Sequence, residues 1–302
     1  MTGRLFHIII YSIISFSLLI SGCSLNNHNP IKSNNNNLLK IYFFDVGQGE
    51  STLLVLPGDI NILVDTGSPA AGPILVENIR SLGIDRIDHL ILTHPHDDHM
   101  GGIFNIYHSM KVLNFYDNSF DNHESNLFDD YVQLVRKDQS RYHVLHAGKV
   151  LNFDSLRIDV LNPIHPTTGI INEDSIVLRL SRGNINILLT GDVRNIGEKR
   201  ILDSAGDIKS HILKVGHHGD SNASTEAFLE MIKPEIAVIS AGKDNKYAKP
   251  HEEALHRINA SGASVMRTDL HGHITVETDG TTYSIKAGKN LSHQKLMIRG
   301  GL

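Results

Sequence analysis

Short apolar runs recur along this chain between turn-forming residues, and the period of each run sorts it into strand or helix. Residues 40–44, 52–56 and 61–64 are aromatic and branched runs of strand length, and Pro57-Gly58-Asp59 supplies the turn between the last two. Residues 74–82 carry helical spacing and stop near Gly83. A strand then runs into Thr93, a helix follows Gly102, a strand spans 111–116 and a helix 126–137. The second half repeats the style. Strands are expected at 155–160, 175–180 and 186–190, the last two paired across 182–184. A helix at 195–204, strands at 211–215 and 236–240, and a helix at 251–260 follow, before a closing hairpin, 274–277 with 282–285, turns at Asp279-Gly280. Strands and helices mixed in this way predict an α/β (α+β) protein built from two sheets flanked by helices. No short-period repeat and no linker interrupts 38–288, so this stretch reads as one domain, and 289–302 as a loose tail.

The first residues fit a different pattern. Arg4 precedes an apolar run over 8–20, then Ser21-Gly22-Cys23. A positive start, a short apolar stretch and small residues before a cut describe a secretory signal, here 1–22. At ~1.5 Å per residue that run covers about 20 Å, short of the ~30 Å of a bilayer core. Ile20-Ser21-Gly22-Cys23 resembles a bacterial lipobox, which implies cleavage before Cys23 and lipidation of that residue. The mature protein is then expected to be extracytoplasmic and anchored to a bacterial membrane, with the Asn-rich 23–37 as a tether.

Composition narrows the chemistry. With Cys23 the only cysteine, neither an intrachain disulfide nor a cysteine zinc site can form. A net charge of -5 gives no broad basic surface for nucleic acid. It does not exclude a phosphate substrate, because bound divalent ions would dominate the local field.

The chemistry concentrates in Thr93-His94-Pro95-His96-Asp97-Asp98-His99-Met100-Gly101-Gly102, three imidazoles and two carboxylates directly after the apolar Leu90-Ile91-Leu92. A buried strand ending in such a loop projects several ligands into one cleft, and imidazole with carboxylate suits zinc, manganese or iron. Three further segments share the design of a strand ending in small or polar residues: Phe44-Asp45-Val46-Gly47-Gln48-Gly49, Leu188-Leu189-Thr190-Gly191-Asp192 and Leu213-Lys214-Val215-Gly216-His217-His218-Gly219.

Taken with Asp65-Thr66-Gly67 and Arg267-Thr268-Asp269, these segments resemble, in order, the metallo-β-lactamase superfamily, and within it the hydrolase domain of ComEC-type DNA-uptake proteins. The resemblance covers about 40–287 and implies an αββα sandwich of two mixed β-sheets. It implies two divalent ions, Zn2+ or Mn2+, sharing a hydroxide: His94 and His96 on the first, Asp98, His99 and His217 on the second, and Asp192 bridging. Asp98 and His218 are the candidate catalytic groups, His218 as a proton donor or phosphoryl contact. Asp65 either orients a ligand imidazole or is a polar turn residue.

The sequence departs from the family pattern in four places. Asn172-Glu173-Asp174 stands where a third histidine for the first ion is common, with Asp174 either a ligand or a strand-start turn residue. Glu50 replaces an aspartate. Asp220 replaces a small hydroxyl residue and adds negative charge at the mouth. Tyr247-Ala248-Lys249-Pro250-His251 replaces Tyr-Gly-His-Pro, so Lys249 either contacts phosphate or sits on the surface, and His251 either substitutes for the missing histidine or starts a helix.

The expected activity is that of a metal-dependent phosphodiesterase, with DNA as the substrate the resemblance implies. An envelope-polymer phosphodiesterase similar to phosphorylcholine esterases is the alternative enzyme. A non-catalytic anchored binding protein is the alternative without chemistry. Nothing in the sequence indicates a protein partner.

Overall fold

The computed structural model describes residues 37–122, 125–137 and 141–300. The signal, Cys23 and the Asn-rich tether up to residue 36 lie outside the described residues. The chain opens a first sheet with β1 (Leu39–Phe43), β2 (Thr52–Leu56), β3 (Ile60–Val64), β4 (Arg86–Ile91), β5 (Lys111–Asp117) and β6 (Arg141–Val144). It then builds a second sheet from β7 (Val150–Phe153), β8 (Leu156–Asn162), β9 (Val177–Arg182), β10 (Ile185–Leu189), β11 (Ile212–Lys214), β12 (Ile236–Ile239) and β13 (Ser264–Arg267). It returns to the first with β14 (His273–Thr278), β15 (Tyr283–Gly288) and β16 (Lys295–Gly300). The strand orders are β16-β15-β14-β1-β2-β3-β4-β5-β6 and β13-β12-β11-β10-β9-β8-β7. Both sheets are mixed: β3 to β6 and β10 to β13 run parallel, the other pairs antiparallel.

The side-chain pattern explains the layering. β8 alternates buried and open positions, as a strand with one face on a core must. β11 and β12 are buried throughout, because parallel strands have both faces covered. One core lies between the sheets, around Ile41, Ile62, Ile158, Leu178, Ile187 and Val238. A second lies under α1 (Gly72–Ser81), α3 (Ile103–Ser109) and α4 (Phe128–Lys137), which cover the first sheet, with the single-turn α2 (Asp97–Met100) after β4. A third lies under α5 (Asn195–Ser204), α6 (Glu226–Ile232) and α7 (Glu252–Ala260) on the second. Each fully buried Leu, Ile or Phe in these layers contributes about 1.5–3 kcal/mol. The result is the expected αββα sandwich.

Several elements differ from the expectation. The segment expected to be a loose tail instead carries β16, which pairs with β15 and packs Ile298 on the inter-sheet core. β6, β7 and β13 were not predicted. β6 is exposed along its length and has no apolar period to read, and β7 and β13 are four-residue edge strands. α6 was also missed, although Thr225 before an apolar-rich run and Pro234 after it are ordinary helix boundaries.

Candidate metal centre

The ends of β4, β10, β11 and β12 meet along one edge of the sandwich, where loops from both sheets converge. Ile176 N–H donates to the Thr93 carbonyl (2.9 Å) and His217 N–H to the Gly191 carbonyl (3.1 Å), tying the loops to each other. Glycine makes the closest approach possible. A Cβ on Gly49 would lie 2.5 Å from the Asp98 carbonyl, the group that accepts from Glu50 N–H.

Asp192 is the buried centre of the site. Its Oδ2 lies 3.2 Å from His99 Nε2, 3.6 Å from His218 Nε2, and 3.7 Å from both His94 Nε2 and His217 Nε2. His94 Nε2 and His96 Nδ1 are 3.0 Å apart, and His218 Nε2 is 3.3 Å from Asp98 Oδ2. Ligand atoms about 2.0–2.1 Å from a tetrahedral ion stand roughly 3.3 Å from one another, so these spacings fit donors that share an ion. Three groups of candidate donors are formed: His94 with His96 and Asp192, Asp98 with His99 and His218, and, behind them, Glu50 with Asp65 and His99, in which Glu50 is already paired with Lys214. His99 Nε2, His218 Nε2 and Asp192 Oδ1 are buried without a hydrogen-bond partner, a costly arrangement that a cation would relieve.

The surrounding bonds set which nitrogens carry protons. Thr93 Oγ1 donates to Asp65 Oδ2 (2.7 Å), so toward His94 Nδ1, at 3.1 Å, it can only accept. His94 Nε2 is therefore left with its lone pair toward the site. Asp65 Oδ2 accepts from His99 Nδ1 (2.7 Å) and Asp65 Oδ1 from Thr93 N–H (2.7 Å). His218 Nδ1 donates to the Ser240 carbonyl (2.9 Å). In all three imidazoles the outer nitrogen is engaged and the inner one faces the cluster, unpartnered in His99 and His218 and beside His96 Nδ1 in His94.

Charge follows the same plan. Burial, followed by the neighbouring His99, holds His94 well below its ordinary value, so it stays neutral. Burial also pulls His99 down, but Asp192 and Asp65 together outweigh it and hold it well above. Burial would raise Asp192, yet His99 and His218 keep its carboxyl well below the usual range. The cluster is built around positive charge.

The adjacent histidines take places different from those expected. His218, not His217, sits with Asp98 and His99, while His217 stands nearer the mouth, with its Nε2 3.4 Å from Asn172 Nδ2 and its Nδ1 3.3 Å from Asp220. Sequence spacing cannot separate neighbours whose directions depend on the backbone, and both residues have positive φ (47° and 58°). Such strain costs about 1–3 kcal/mol per residue and persists where the surroundings impose it. Asp174 is not at the site, because its two oxygens accept from Thr168 and Gly169 N–H, both at 2.9 Å. His251 starts α7 and is engaged by Ser221 N–H and the Tyr247 carbonyl. Lys249 is not a surface lysine: it is buried and pairs with Asp220 at 3.3 Å.

Three groups went unnoticed in the sequence. Asn172 lies beside His217 with a buried, unpartnered Oδ1. Gln48 lines the cleft and accepts from Gly242 N–H (3.2 Å). Lys214 and Glu50 form a fully buried ion pair behind His99 and Asp65. Gln48 and Asn172 stand inside segments the sequence had already singled out, but no signal in the sequence pairs Lys214 with Glu50. The cleft itself encloses about 580 Å³.

Comparison with known proteins agrees with this geometry. Residues 44–243 match the Metallo-beta-lactamase superfamily. The chain is 31% identical over 254 residues to ComE operon protein 3 of Bacillus subtilis, covering 78% of this chain and 32% of that protein. It is 31% identical over 231 residues to Competence protein ComA of Neisseria gonorrhoeae (76% and 31% covered), and 30% over 242 residues to Recombination protein 2 of Haemophilus influenzae (77% and 28%). The chain thus spans about a third of the length of these relatives. Among solved structures it is similar to the metallo-beta-lactamase fold protein YhfI of Bacillus subtilis, with a TM-score of 0.52 and 16% identity over 80% of this chain and 99% of that one. That likeness carries the fold alone. The chain belongs to the metallo-beta-lactamase superfamily, whose fold implies divalent metal binding and supports a hydrolase.

Proposed function

We propose that the protein is a divalent-metal phosphodiesterase with a binuclear site. The observation that carries the reading is the convergence of His94, His96, Asp98, His99 and His218 on Asp192, with buried lone pairs left unpartnered. His94, His96 and Asp192 would hold one ion, and Asp98, His99, His218 and Asp192 the other. A nitrogen and oxygen donor set without sulfur suits Zn2+ or Mn2+. When bound, such ions lower the pKa of water and neutralise charge on a phosphoryl group.

The other roles belong to the chain. Asp65 fixes the tautomer of His99, and the Ser240 carbonyl fixes that of His218. His217, at the mouth with Asp220 behind its Nδ1, takes the substrate-facing place that the sequence reading gave to His218. Burial pushes the His217 imidazole down to about 4, so near neutral pH it acts as a neutral hydrogen-bonding group. Two of the relatives' names refer to competence and recombination, processes that handle DNA, and this favours DNA as the substrate class. We further propose that the protein acts outside the cytoplasm, held by lipid on Cys23. Membrane association that persists in Cys23→Ser would refute the anchor.

The test is elemental analysis of the purified full-length chain, paired with hydrolysis of bis-p-nitrophenyl phosphate under Mn2+ and Zn2+. About two ions per chain, with turnover lost in Asp192→Ala, is the expected result. Absence of both metal and turnover would make an anchored binding protein the better reading.

A further inference from the structure

Lys249 is the single Lys or Arg among the described residues that line the cleft, where it faces Asp97, Asp98, Asp192 and Asp220. Burying an ammonium costs several kcal/mol unless good partners offset the loss of water. Its ion-pair contact is Asp220 Oδ2 at 3.3 Å, longer than the ~2.7–2.9 Å of a strong charge-assisted bond, and the lysine Nζ also stands 5.7 Å over the Tyr247 ring, near the outer limit of a cation–π contact. Asp220 is itself shared, lying 3.3 Å from His217 Nδ1 and accepting Asn222 N–H at 2.9 Å through its other oxygen. The lysine backbone, by contrast, is held firmly. Asn245 Oδ1 accepts its N–H (3.1 Å) and Asn245 Nδ2 donates to its carbonyl (2.6 Å). A pinned backbone with a loosely paired ammonium describes a group positioned for a ligand, and an ammonium has three donors to spend. On the rim beyond it, Lys246 Nζ stands 4.9 Å over the exposed Tyr247 ring, continuing the positive charge outward from the ions' position.

We propose that Lys249 binds a phosphate next to the one that reacts, and so selects a repeating phosphodiester chain over an isolated diester. The assignment of the reacting position rests on the phosphodiesterase reading. The shared chemistry, successive phosphates along a polymer, occurs in nucleic acid and in polyol-phosphate polymers alike. Asp220 then serves as the counter-charge that holds the ammonium until a phosphate replaces it.

The experiment measures equilibrium binding of the metal-loaded full-length protein to a slowly hydrolysed phosphorothioate oligothymidylate, by anisotropy across a salt series, with poly(glycerol phosphate) as competitor. Lys249→Met should flatten the slope of log Kd against log salt by about 0.7, the value for one phosphate contact on a single strand. Lys249→Arg should restore it. Lys249→Met leaves Asp220 unpaired, so Lys249→Met/Asp220→Asn is measured beside it, and there affinity should partly recover while the slope stays flat. Dependence on Lys249 for one polymer and not the other identifies the source. A slope unchanged in both Met variants, or no wild-type binding to either polymer, overturns the proposal. Lys249-dependent binding without any hydrolysis would instead sink the phosphodiesterase reading and leave the phosphate contact standing.

Discussion

Asp65→Asn tests the tautomer argument at its narrowest point. Asp65 is buried and has a φ of 57°, a left-handed conformation that asparagine tolerates better than most residues. The substitution therefore spares the backbone and changes only the donors and acceptors. The carboxylate now accepts three bonds, from Thr93 N–H, Thr93 Oγ1–H and His99 Nδ1–H, each at 2.7 Å. An amide offers one oxygen. If that oxygen stays with Thr93 N–H, the NH2 meets His99 Nδ1, and the ring must move its proton to Nε2, the atom needed by an ion. If the amide flips, NH2 faces the Thr93 N–H and a buried donor is orphaned. That outcome costs about 1–3 kcal/mol. Either route weakens metal binding by roughly 5- to 150-fold, since 1.4 kcal/mol is a factor of ten. The assay is competition with a graded chelator, followed by metal content. Unfolding in urea without metal should show that the variant still folds cooperatively. Affinity for metal equal to that of the wild type would refute the reasoning.

Two further outcomes are expected. His218→Ala should lose one ion per chain, whereas His217→Ala should keep both and lose turnover, as read by elemental analysis and hydrolysis of the same diester; the reverse pattern would restore the assignment made from sequence. Glu198 accepts Thr225 N–H (2.9 Å) and Thr225 Oγ1–H (2.8 Å) at the start of α6, and burial pushes its carboxyl up to about 7. The folded state therefore holds this proton more tightly than the unfolded chain, whose value is about 4.3, and stability is lost as pH rises between those values. The stability gap between wild type and Glu198→Gln should shrink by roughly 2–3 kcal/mol between pH 5 and pH 8 in urea titrations. A gap that does not change with pH would contradict it.

Much of the fold was legible because its inner strands obey simple periods. β2, β5 and β10 were read within a residue, α5 to the residue, and α1 with its start two residues late. The strands missed are those where burial imposes little period, the exposed β6 and the edge strands β7, β13 and β16, whereas α6 was missed despite its ordinary boundary residues. At the site, the sequence marked the ends of β1, β4, β10 and β11 but not that of β12, since glycine and polar residues after an apolar run identify such a place. It gave His217 to the second ion and His218 to the substrate, whereas His218 is the one grouped with Asp98 and His99, because the side-chain directions follow from two consecutive positive φ angles. It left Asp174 as either a ligand or a strand-start turn residue and did not weigh Asn172. Here that carboxylate is consumed by a turn. Asp220 alone looked like an obstacle to an anion. Its pairing with Lys249 depends on two loops that no local pattern connects.

The pairing of β1 with β14 has a consequence for how the molecule comes to exist. Leu39 lies opposite Thr278, so the first strand takes one of its two neighbours from near the far end of the chain. Contacts of such sequence separation are slow to form, because a long loop must close before they contribute anything. Until then β1, paired only with β2, presents an unpaired apolar edge, the kind of surface on which incomplete chains associate. The residues that match the superfamily, 44–243, end before β14 begins. A fragment cut to those limits would keep every histidine and carboxylate of the metal site but lose β1 as well as β14, leaving β2 as an open edge of the sheet, a gene product better suited to aggregation than to catalysis.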